Sequence, residues 1–547
     1  MLVAAGSAHA QSPPPHDDAG TGPTGEPPAA SSALASIPRP IDHLTLSDDL
    51  LGAVGLRAID KARVEAQVST GNDATHHAAV RASDTLGGFG LELTGSALAS
   101  PVLGDRNAAA ARVEHVTERD RLWLVGNYEG EQNGLARQSF ATELHTATYG
   151  AAWTAWRSAG RFELQALGEQ QALHDTRSTG ALDLDSDAYS AHGGFASRRV
   201  QAFGLDHEFG GDVDIMQATG VARDSDGDPN NMTMLPRSKR GRHRFLSAYI
   251  HDTVRVIESL DVHGGFVFEH WRWLTNMAPI YGHDLGEGMD AQTAEVISQL
   301  MGEQLDAVYR ATPEITLQAN AYRRLRTPTW QQLMRPVQNG DVLTVAGDKL
   351  HAETITGGEV GPTLRTRHLE ARAVLYYNDV ASPISPVTLD GSLRELQNLG
   401  HAREAGVEAA AQWRIAKPWL AGVGYTFTSA RVTDAETQPQ LVGKQMVQTP
   451  RHRASALVAF DDPRIVTLTG AVHYVASRYE DDRNTIVAKP FATVDAMATR
   501  KLVRGLAGFV SVENIFDRRY VTQLGGVDTI GAPRLVQVGL RLDSARW

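Results

Sequence analysis

The sequence predicts an all-β protein, a transmembrane antiparallel β-barrel. Apolar and polar residues alternate along many short segments, and turn-forming residues separate these segments. The mean hydropathy is only −0.27. A barrel strand turns every second side chain towards lipid, so its lipid face does not raise the average hydropathy. No apolar run reaches the roughly 18 residues that would predict a transmembrane helix.

Composition agrees with this fold and excludes several classes of function. The chain has 547 residues, no cysteine and a formal net charge of −12. Without cysteine, disulfide frameworks and thiolate metal sites are excluded. The acidic balance and the lack of a dense Lys/Arg tract argue against a nucleic-acid partner. The 51 glycines, 13 tyrosines, 14 phenylalanines and 9 tryptophans suit the tight turns and aromatic girdles of a barrel, but they suit many soluble all-β proteins too, and a soluble all-β protein is the alternative.

The N-terminal segment follows a different pattern. Residues 1–10 are predicted to be a truncated signal peptide, because Ser7-Ala8-His9-Ala10 has the small-x-small form of a cleavage site. The positively charged start of a signal is missing, so a chance match is the alternative. Residues 11–59 are predicted to be a Pro-rich linker, in which residues 44–59 form a short helix with Ser47 as its N-cap. The barrel is predicted over residues 60–547.

Alternation begins at about Lys61 and continues to the C-terminus. Its clearest run places five residues on one face, namely Val466, Leu468, Gly470, Val472 and Tyr474. The terminal run places Val536, Val538, Leu540 and Leu542 on one face and Gln537, Gly539 and Arg541 on the other. A period of two with one apolar and one polar face predicts strands that separate two different environments. The length allows roughly 22 strands of about ten residues, or roughly 16 or 18 with longer loops.

Three stretches are predicted to be long extracellular loops because they lack alternation: residues 182–189, 223–244 and 276–305. Residues 291–305 are predicted to form a helix within the third. The first two loops carry the candidate calcium ligands Asp183, Asp185, Asp187, Asp224, Asp226 and Asp228. Carboxylate oxygens at alternate positions suit Ca²⁺. The second group is not an EF-hand, since Pro229 and Leu235 stand where Gly and Glu are required, and solvated acidic loops are the alternative.

Several motifs resemble one family. The run Glu513-Asn514-Ile515-Phe516-Asp517-Arg518-Arg519-Tyr520, followed by Gly531-Ala532-Pro533-Arg534 and a terminal strand, closely resembles the end of TonB-dependent outer-membrane receptors. Further similar stretches are residues 246–253, 326–333 with 357–361, and 397–408 with 450–453. The family's Asn-Pro-x-Leu-x-Pro-Glu run reads Gly347-Asp348-Lys349-Leu350-His351-Ala352-Glu353 here, so both prolines are lost.

The resemblance implies a 22-strand barrel in the bacterial outer membrane, surrounded by its lipid. It also implies energised uptake of a scarce, bulky nutrient, a ferric siderophore or a corrinoid, so the expected ligand is a small-molecule metal chelate or vitamin. Arg451 and Arg453 are candidate anion contacts, with polar lining as the alternative reading. Two rival functions are a passive pore or non-transporting remnant barrel, and an outer-membrane hydrolase. No nucleophile elbow or P-loop occurs, so we expect no enzyme and no resident cofactor other than calcium.

One departure from the family concerns the plug, the globular domain that gates the lumen and binds TonB. A plug needs on the order of 100 residues or more, and residues 11–60 show no plug-like pattern. The TonB complex is therefore expected as a partner only if a plug is supplied. Three explanations of the missing plug pattern stay open: a deleted or decayed gene, a plug supplied by another chain, or a naturally open barrel.

The terminal strand also resembles the signal that the barrel-assembly machinery reads. Its candidate residues are Gly539, Leu542 and the aromatic Trp547. In the usual signal the aromatic residue directly follows the alternating run, whereas residues 543–546 intervene here. We therefore expect less efficient assembly, and we expect the machinery to be a partner.

Overall fold

The computed structural model describes residues 59, 62–101, 104–133, 141–176, 181–224, 237–279, 292–339, 342–347, 349–462, 464–523 and 529–544. The predicted signal peptide lies outside the described residues, and so does the predicted linker except for residue 59. No helix in this part of the chain is long and apolar enough to cross a membrane.

The strands in the first half are β1 (Arg63–Gly71), β2 (His76–Leu86), β3 (Phe89–Ala99), β4 (Asp105–Val116), β5 (Asp120–Asn133), β6 (Ala141–Trp156), β7 (Gly160–Thr176), β8 (Ala181–Ser197), β9 (Val200–Ala202), β10 (Leu205–Asp224), β11 (Arg237–Ile257), β12 (Leu260–Pro279), β13 (Gln292–Arg310) and β14 (Ile315–Arg326).

Those in the second half are β15 (Val337–Asn339), β16 (Val342–Val345), β17 (Glu353–Arg365), β18 (Leu369–Ala381), β19 (Ile384–Asp390), β20 (Leu393–Asn398), β21 (His401–Ala416), β22 (Trp419–Asp434), β23 (His452–Asp462), β24 (Val466–Val475), β25 (Arg478–Tyr479), β26 (Val487–Ala488), β27 (Phe491–Val503), β28 (Leu506–Glu513), β29 (Val521–Gln523), β30 (Thr529–Ile530) and β31 (Leu535–Asp543). A helix, α1 (Trp330–Met334), precedes β15.

The wall is a closed antiparallel barrel of 22 strands, which confirms the predicted fold class. Strand β9 continues β8, since both pair with β10. The strands outside the wall are β15, β16, β19, β20, β25, β26, β29 and β30. Closure comes from the first and last strands, which pair from Glu65 opposite Asp543 to Gly71 opposite Gln537. Closure gives every strand of the wall a neighbour on both sides, which a sheet in lipid requires.

The predicted alternation decides which side chains face lipid. On β24, Leu468, Val472 and Tyr474 are about 40 to 45% exposed on the outer face. His473 lies at an intervening position, turned to the interior, where it contacts Asp495 of β27. The same arrangement holds on β31, where Val538 and Leu540 are exposed and Gln537 is buried. The apolar outer face and polar inner face are those expected for a membrane barrel.

The connections divide the barrel into two ends. At one, the turn end, hairpins are short, as between β2 and β3, where Gly87 and Gly88 adopt the positive φ of a two-residue turn. At the other, the loop end, residues 327–352 separate β14 from β17 and residues 382–400 separate β18 from β21. Outer-membrane barrels keep short turns on the periplasmic side and long loops outside.

Every described residue of the three predicted loops lies in a strand, so the predictions are wrong there; residues 225–236 and 280–291 lie outside the described residues. Residues 182–189 lie within β8, and residues 237–244 lie within β11. The predicted helix over residues 291–305 is strand β13. There Val296 and Leu300 are buried while Ile297 and Met301 are exposed. A spacing of four residues suits one face of a helix and one face of a strand equally, so the pattern did not distinguish the two.

Candidate functional site

The loop end carries the candidate site. Its described connections over residues 327–352, 382–400, 435–451, 476–490 and 514–534 are here called the loop cap. Two of them share a four-stranded sheet, because β15 and β16 of the first loop join β19 and β20 of the second. The joining pair is parallel, with Leu343 opposite Leu393. The shared sheet connects the two loops to each other at the barrel mouth.

Helix α1 begins at a capping box. The Thr329 hydroxyl accepts from the Gln332 N–H at 3.2 Å, and the Gln332 side chain accepts from the Thr329 N–H at 2.9 Å. Such reciprocal bonds satisfy two backbone donors of the first turn. The resulting turn presents Leu333 and Met334, both of which are buried.

These two residues pack against the inner face of the barrel wall. The apolar cluster there comprises Leu173, Leu184, Ala222, Trp271, Trp273, Val296, Leu333, Met334, Leu350 and Ala352. Its wall members come from β7, β8, β10, β12 and β13. The Lys239 ammonium of β11 donates to the Leu333 carbonyl at 2.6 Å. The loop over residues 327–352 therefore lies inside the barrel mouth.

An aromatic group forms the centre of this contact. The rings of Trp273 and Trp330 meet edge to face, with centroids 5.8 Å apart. His243 lies 6.0 Å from Trp330 and accepts from the indole N–H of Trp271 at 3.3 Å. The wall residue below Trp273 is Gly241, where an added Cβ would come within 2.3 Å of the ring. Only a position without a side chain lets the indole lie this close to the wall.

A buried carboxylate joins three elements at the edge of this group. Glu353, at the start of β17, accepts from the Ile384 N–H at 2.5 Å and also pairs with the Arg326 guanidinium. Only 1% of Glu353 is exposed. It ends the run that departs from the family's usual sequence. The carboxylate therefore holds the second loop of the cap to the wall even though both prolines of the motif are absent.

Residues 476–490 carry three consecutive buried acids. Asp482 accepts from both the N–H and the hydroxyl of Thr388, at 3.0 and 2.6 Å. Asp481 accepts from backbone N–H groups within its own turn, and Glu480 pairs with Arg478 at 2.9 Å. All three acids serve as internal acceptors, and two of them connect loops, Asp482 through Thr388 and Glu480 through the amide of Gln448.

The family-like motif at residues 513–520 holds the last loop of the cap. Asn514 has a φ of +47°, a left-handed conformation that asparagine tolerates better than most residues. Its amide donates to the carbonyls of Arg518 and Ala532, both at 3.0 Å. Tyr520 stacks on Phe491 with centroids 4.2 Å apart. Burial, and then the carboxylates of Asp495 and Glu513, raise the pKa of Tyr520.

The two arginines predicted as anion contacts lie at the same end. Arg451 donates to Gln445 at 3.2 Å, within the cap. Arg453 is the second residue of β23, on the inner face, and its side chain remains exposed. Both side chains are exposed, and their role as anion contacts stays a prediction.

The predicted calcium ligands do not form one group among the described residues. Asp183, Asp185 and Asp187 lie on the outer face of β8, where Asp183 contacts His174 at 2.5 Å and Asp185 contacts Arg223 at 2.9 Å. Asp224 ends β10 opposite Leu182, so its register position differs by one residue from those that pair with the three aspartates. Asp226 and Asp228 lie outside the described residues. That described part contains no group of three or more His, Asp or Glu side chains able to hold a metal, and calcium stays a prediction.

Two residues of the predicted assembly signal lie on the closing strand. Gly539 faces inward beneath the Phe509 ring, where an added Cβ would come within 2.4 Å of that ring. Leu542 faces outward opposite Ala66 of β1. Trp547 lies outside the described residues, so the role of the signal stays a prediction.

Sequence reasoning missed the aromatic group, although a signal was present. Trp271 and Trp273 occupy alternate positions of one strand, so they share a face. That face could be identified as the inner one only after the neighbouring strands were in register, with Trp273 opposite His243.

Comparison with known proteins agrees with this architecture. The family described as "TonB dependent receptor-like, beta-barrel" matches residues 66–515. The pesticin receptor of Yersinia enterocolitica is 27% identical over 312 residues, which are 54% of this chain and 43% of that receptor. The metal-pseudopaline receptor CntO of Pseudomonas aeruginosa is 27% identical over 266 residues, 47% of this chain and 34% of that receptor. The chain thus spans less than half the length of these curated relatives.

A solved structure has the same fold. The ferric yersiniabactin uptake receptor FyuA from Yersinia pestis superposes with a TM-score of 0.71 at 18% identity, over 89% of this chain and 81% of that one. At this identity the likeness concerns the fold alone.

Proposed function

Because the chain belongs to the TonB-dependent receptor family, whose barrels lie in the bacterial outer membrane, we propose that it is the barrel of an uptake receptor for a small metal chelate. The observation that carries this proposal is the position of residues 327–352. Their helix packs on the inner face of the wall, so the loop narrows the mouth that a ligand from outside must enter. A receptor that selects its ligand needs such a structure, whereas a passive pore does not.

The chemistry of the mouth suits a polar ligand with a flat apolar part. Trp330 provides partly exposed aromatic surface there, whereas Trp273 and His243 are buried. Arg453 supplies a cation for the negative charge that many metal chelates carry. The relatives named for metal-pseudopaline and ferric yersiniabactin favour a metal chelate over the corrinoid alternative.

Two partners follow from this proposal. Energised uptake needs a plug that bears the TonB-binding segment, so we propose coupling to the TonB complex only where a plug is supplied. The barrel-assembly machinery would act earlier, on the terminal strand β31.

Single-channel recording of the refolded chain in a planar bilayer tests the function. We expect micromolar ferric chelate to block the current, with metal-free chelator and cyanocobalamin as controls that do not. Block by cyanocobalamin alone would replace the metal chelate by a corrinoid. A large, steady current that none of the three changes would overturn selective uptake and favour the passive pore.

A further inference from the structure

A group of arginines lies on the outer face of the wall, away from the lumen. Arg240, Arg242 and Arg244 occupy alternate positions of β11, and Arg272 lies directly opposite Arg244 on β12. All four are exposed. These four residues are here called the arginine patch.

The register of β11 shows that the patch faces outward. Arg244 shares its face with Ile250, which is 66% exposed among the lipid-facing side chains. The intervening residues Lys239 and His243 are buried on the inner side, beneath the loop cap. Arg244 is two residues from the outward-facing Leu246, which corresponds to roughly 6.6 Å along the strand.

The height of the patch corresponds to the membrane surface. Tyr189 of β8 is opposite Gln217 of β10, which is in turn opposite Arg244, so these residues form one row around the wall. Tyr189 is about half exposed on the outer face. Exposed tyrosines mark the headgroup level of membrane barrels. Because barrel strands tilt by roughly 40°, a row that crosses two strands changes height by about 6 Å. Arg244 therefore lies within about 6 Å of this level, and Arg242 and Arg240 follow it towards the loop end.

The patch carries more positive charge than its neighbours balance. Arg272 pairs with Glu295 at 2.6 Å, and Arg244 donates to the neutral Gln217 at 2.8 Å. The guanidinium groups of Arg240 and Arg242 make no ion pair or hydrogen bond within the described residues. The row of carboxylates on β8 is separated from the patch by strand β10, and Asp185 in that row already pairs with Arg223.

Direct opposition of two arginines has a cost. Residues opposite each other on antiparallel strands have Cβ atoms about 5 Å apart, and like charges at that distance destabilise the pair. An anion between Arg244 and Arg272 would remove this repulsion. Guanidinium groups bind phosphate well, because their planar N–H donors match its oxygens in pairs.

We propose that the arginine patch binds the phosphorylated headgroup of a lipid in the outer leaflet, the lipid A part of lipopolysaccharide. The patch is exposed and lies near the level of headgroups, and its Arg240 and Arg242 guanidinium groups have no anion among the residues that the structure describes. This interaction does not depend on transport, because the patch is on the outer face and the proposed ligand path is inside.

Native mass spectrometry of the refolded full chain in detergent tests the proposal. The probe is lipid A with two phosphates, titrated against the chain, with dephosphorylated lipid A in parallel. We expect the R240Q/R242Q/R244Q variant to bind the phosphorylated lipid at least tenfold more weakly, since each lost charge-assisted pair contributes on the order of tenfold. Dephosphorylated lipid A should bind weakly and equally to both proteins.

Two further variants make the result specific. R365Q/R367Q/R464Q removes the same charge from exposed arginines at the turn end and should leave binding unchanged. R240K/R242K/R244K keeps the charge and should retain part of the binding. Folding of every variant is checked without lipid by its heat-modifiable migration. Should Arg240 to Arg244 prove too important for folding, R242Q alone provides the comparison.

Two outcomes would overturn the proposal. One is equal affinity of the R240Q/R242Q/R244Q variant and the unmodified chain for phosphorylated lipid A. The other is complete displacement of lipid A by an equal concentration of inorganic phosphate, which would identify a site for the free anion. Current block by a chelate in the planar bilayer is a separate measurement, so loss of lipid binding would leave the proposed uptake function untouched.

Discussion

Replacing Leu333 by alanine tests whether apolar packing holds the loop cap in the barrel mouth. Leu333 is fully buried, between the loop and the inner wall. Truncating a buried leucine to alanine costs about 2 to 5 kcal/mol, depending on how far the cavity collapses. The wall strands are held by their own backbone hydrogen bonds, so this cost falls on docking of the loop.

A loss of that size should shift the docking equilibrium about 30-fold to several-thousand-fold towards the undocked loop. The bonds from Lys239 to the Leu333 carbonyl and within the capping box would then be made and broken more often. We expect chymotrypsin to cleave within residues 327–352 much faster than in the unmodified chain. In planar bilayers the mean current should rise, because the mouth is open for a larger fraction of time.

Leu375→Ala is the matched control. It makes the same chemical change at a residue of β18 that is 57% exposed on the lipid face. That variant should keep the cleavage rate and the current of the unmodified chain. Equal cleavage rates and equal currents for Leu333→Ala and Leu375→Ala, both in folded barrels, would refute the view that this packing holds the loop.

Three other changes probe the loops and the closure of the wall. Deleting residues 536–547 removes most of β31, the strand that joins β28 to β1. Insertion of the chain into the outer membrane should be abolished. A folded, heat-modifiable band of the deletion variant on a gel would contradict this. Asn514→Gly keeps the left-handed backbone but loses the two hydrogen bonds that the side-chain amide donates and the one that it accepts from the Arg518 N–H. The resistance of residues 514–534 to protease should therefore fall from Asn to Gly to Ala, by about 1 kcal/mol per step. Equal resistance of the Gly and Ala variants would exclude the backbone contribution. Glu353→Gln removes the charge that pairs with Arg326, and it should weaken the attachment of the second loop by about 1 to 3 kcal/mol. The backbone amide of Ile384 should then exchange its hydrogen faster. An unchanged exchange rate would show that the carboxylate is dispensable.

The loops were harder to predict than the wall, for a physical reason. Alternation is strong where one face meets lipid and the other meets the polar interior. Above the membrane both faces of a strand meet water or loops, so the contrast disappears although the strand continues. Residues 182–189 illustrate this, because three aspartates occupy the outer face of β8 beyond its lipid-facing part. Without an apolar face, these residues show the pattern that predicts a loop, although they form a strand.

The sequence by itself determined the fold class, the faces of the strands and the family. Side chains of a strand alternate for covalent reasons, so local order alone identifies the lipid face of β24 or β31. Tertiary structure decided which end the loops close and how. The contacts of Glu353 with Ile384, of Lys239 with Leu333 and of Arg244 with Arg272 join residues 28 to 94 positions apart. Such contacts depend on strand register and on how a loop folds back, and no local pattern encodes either.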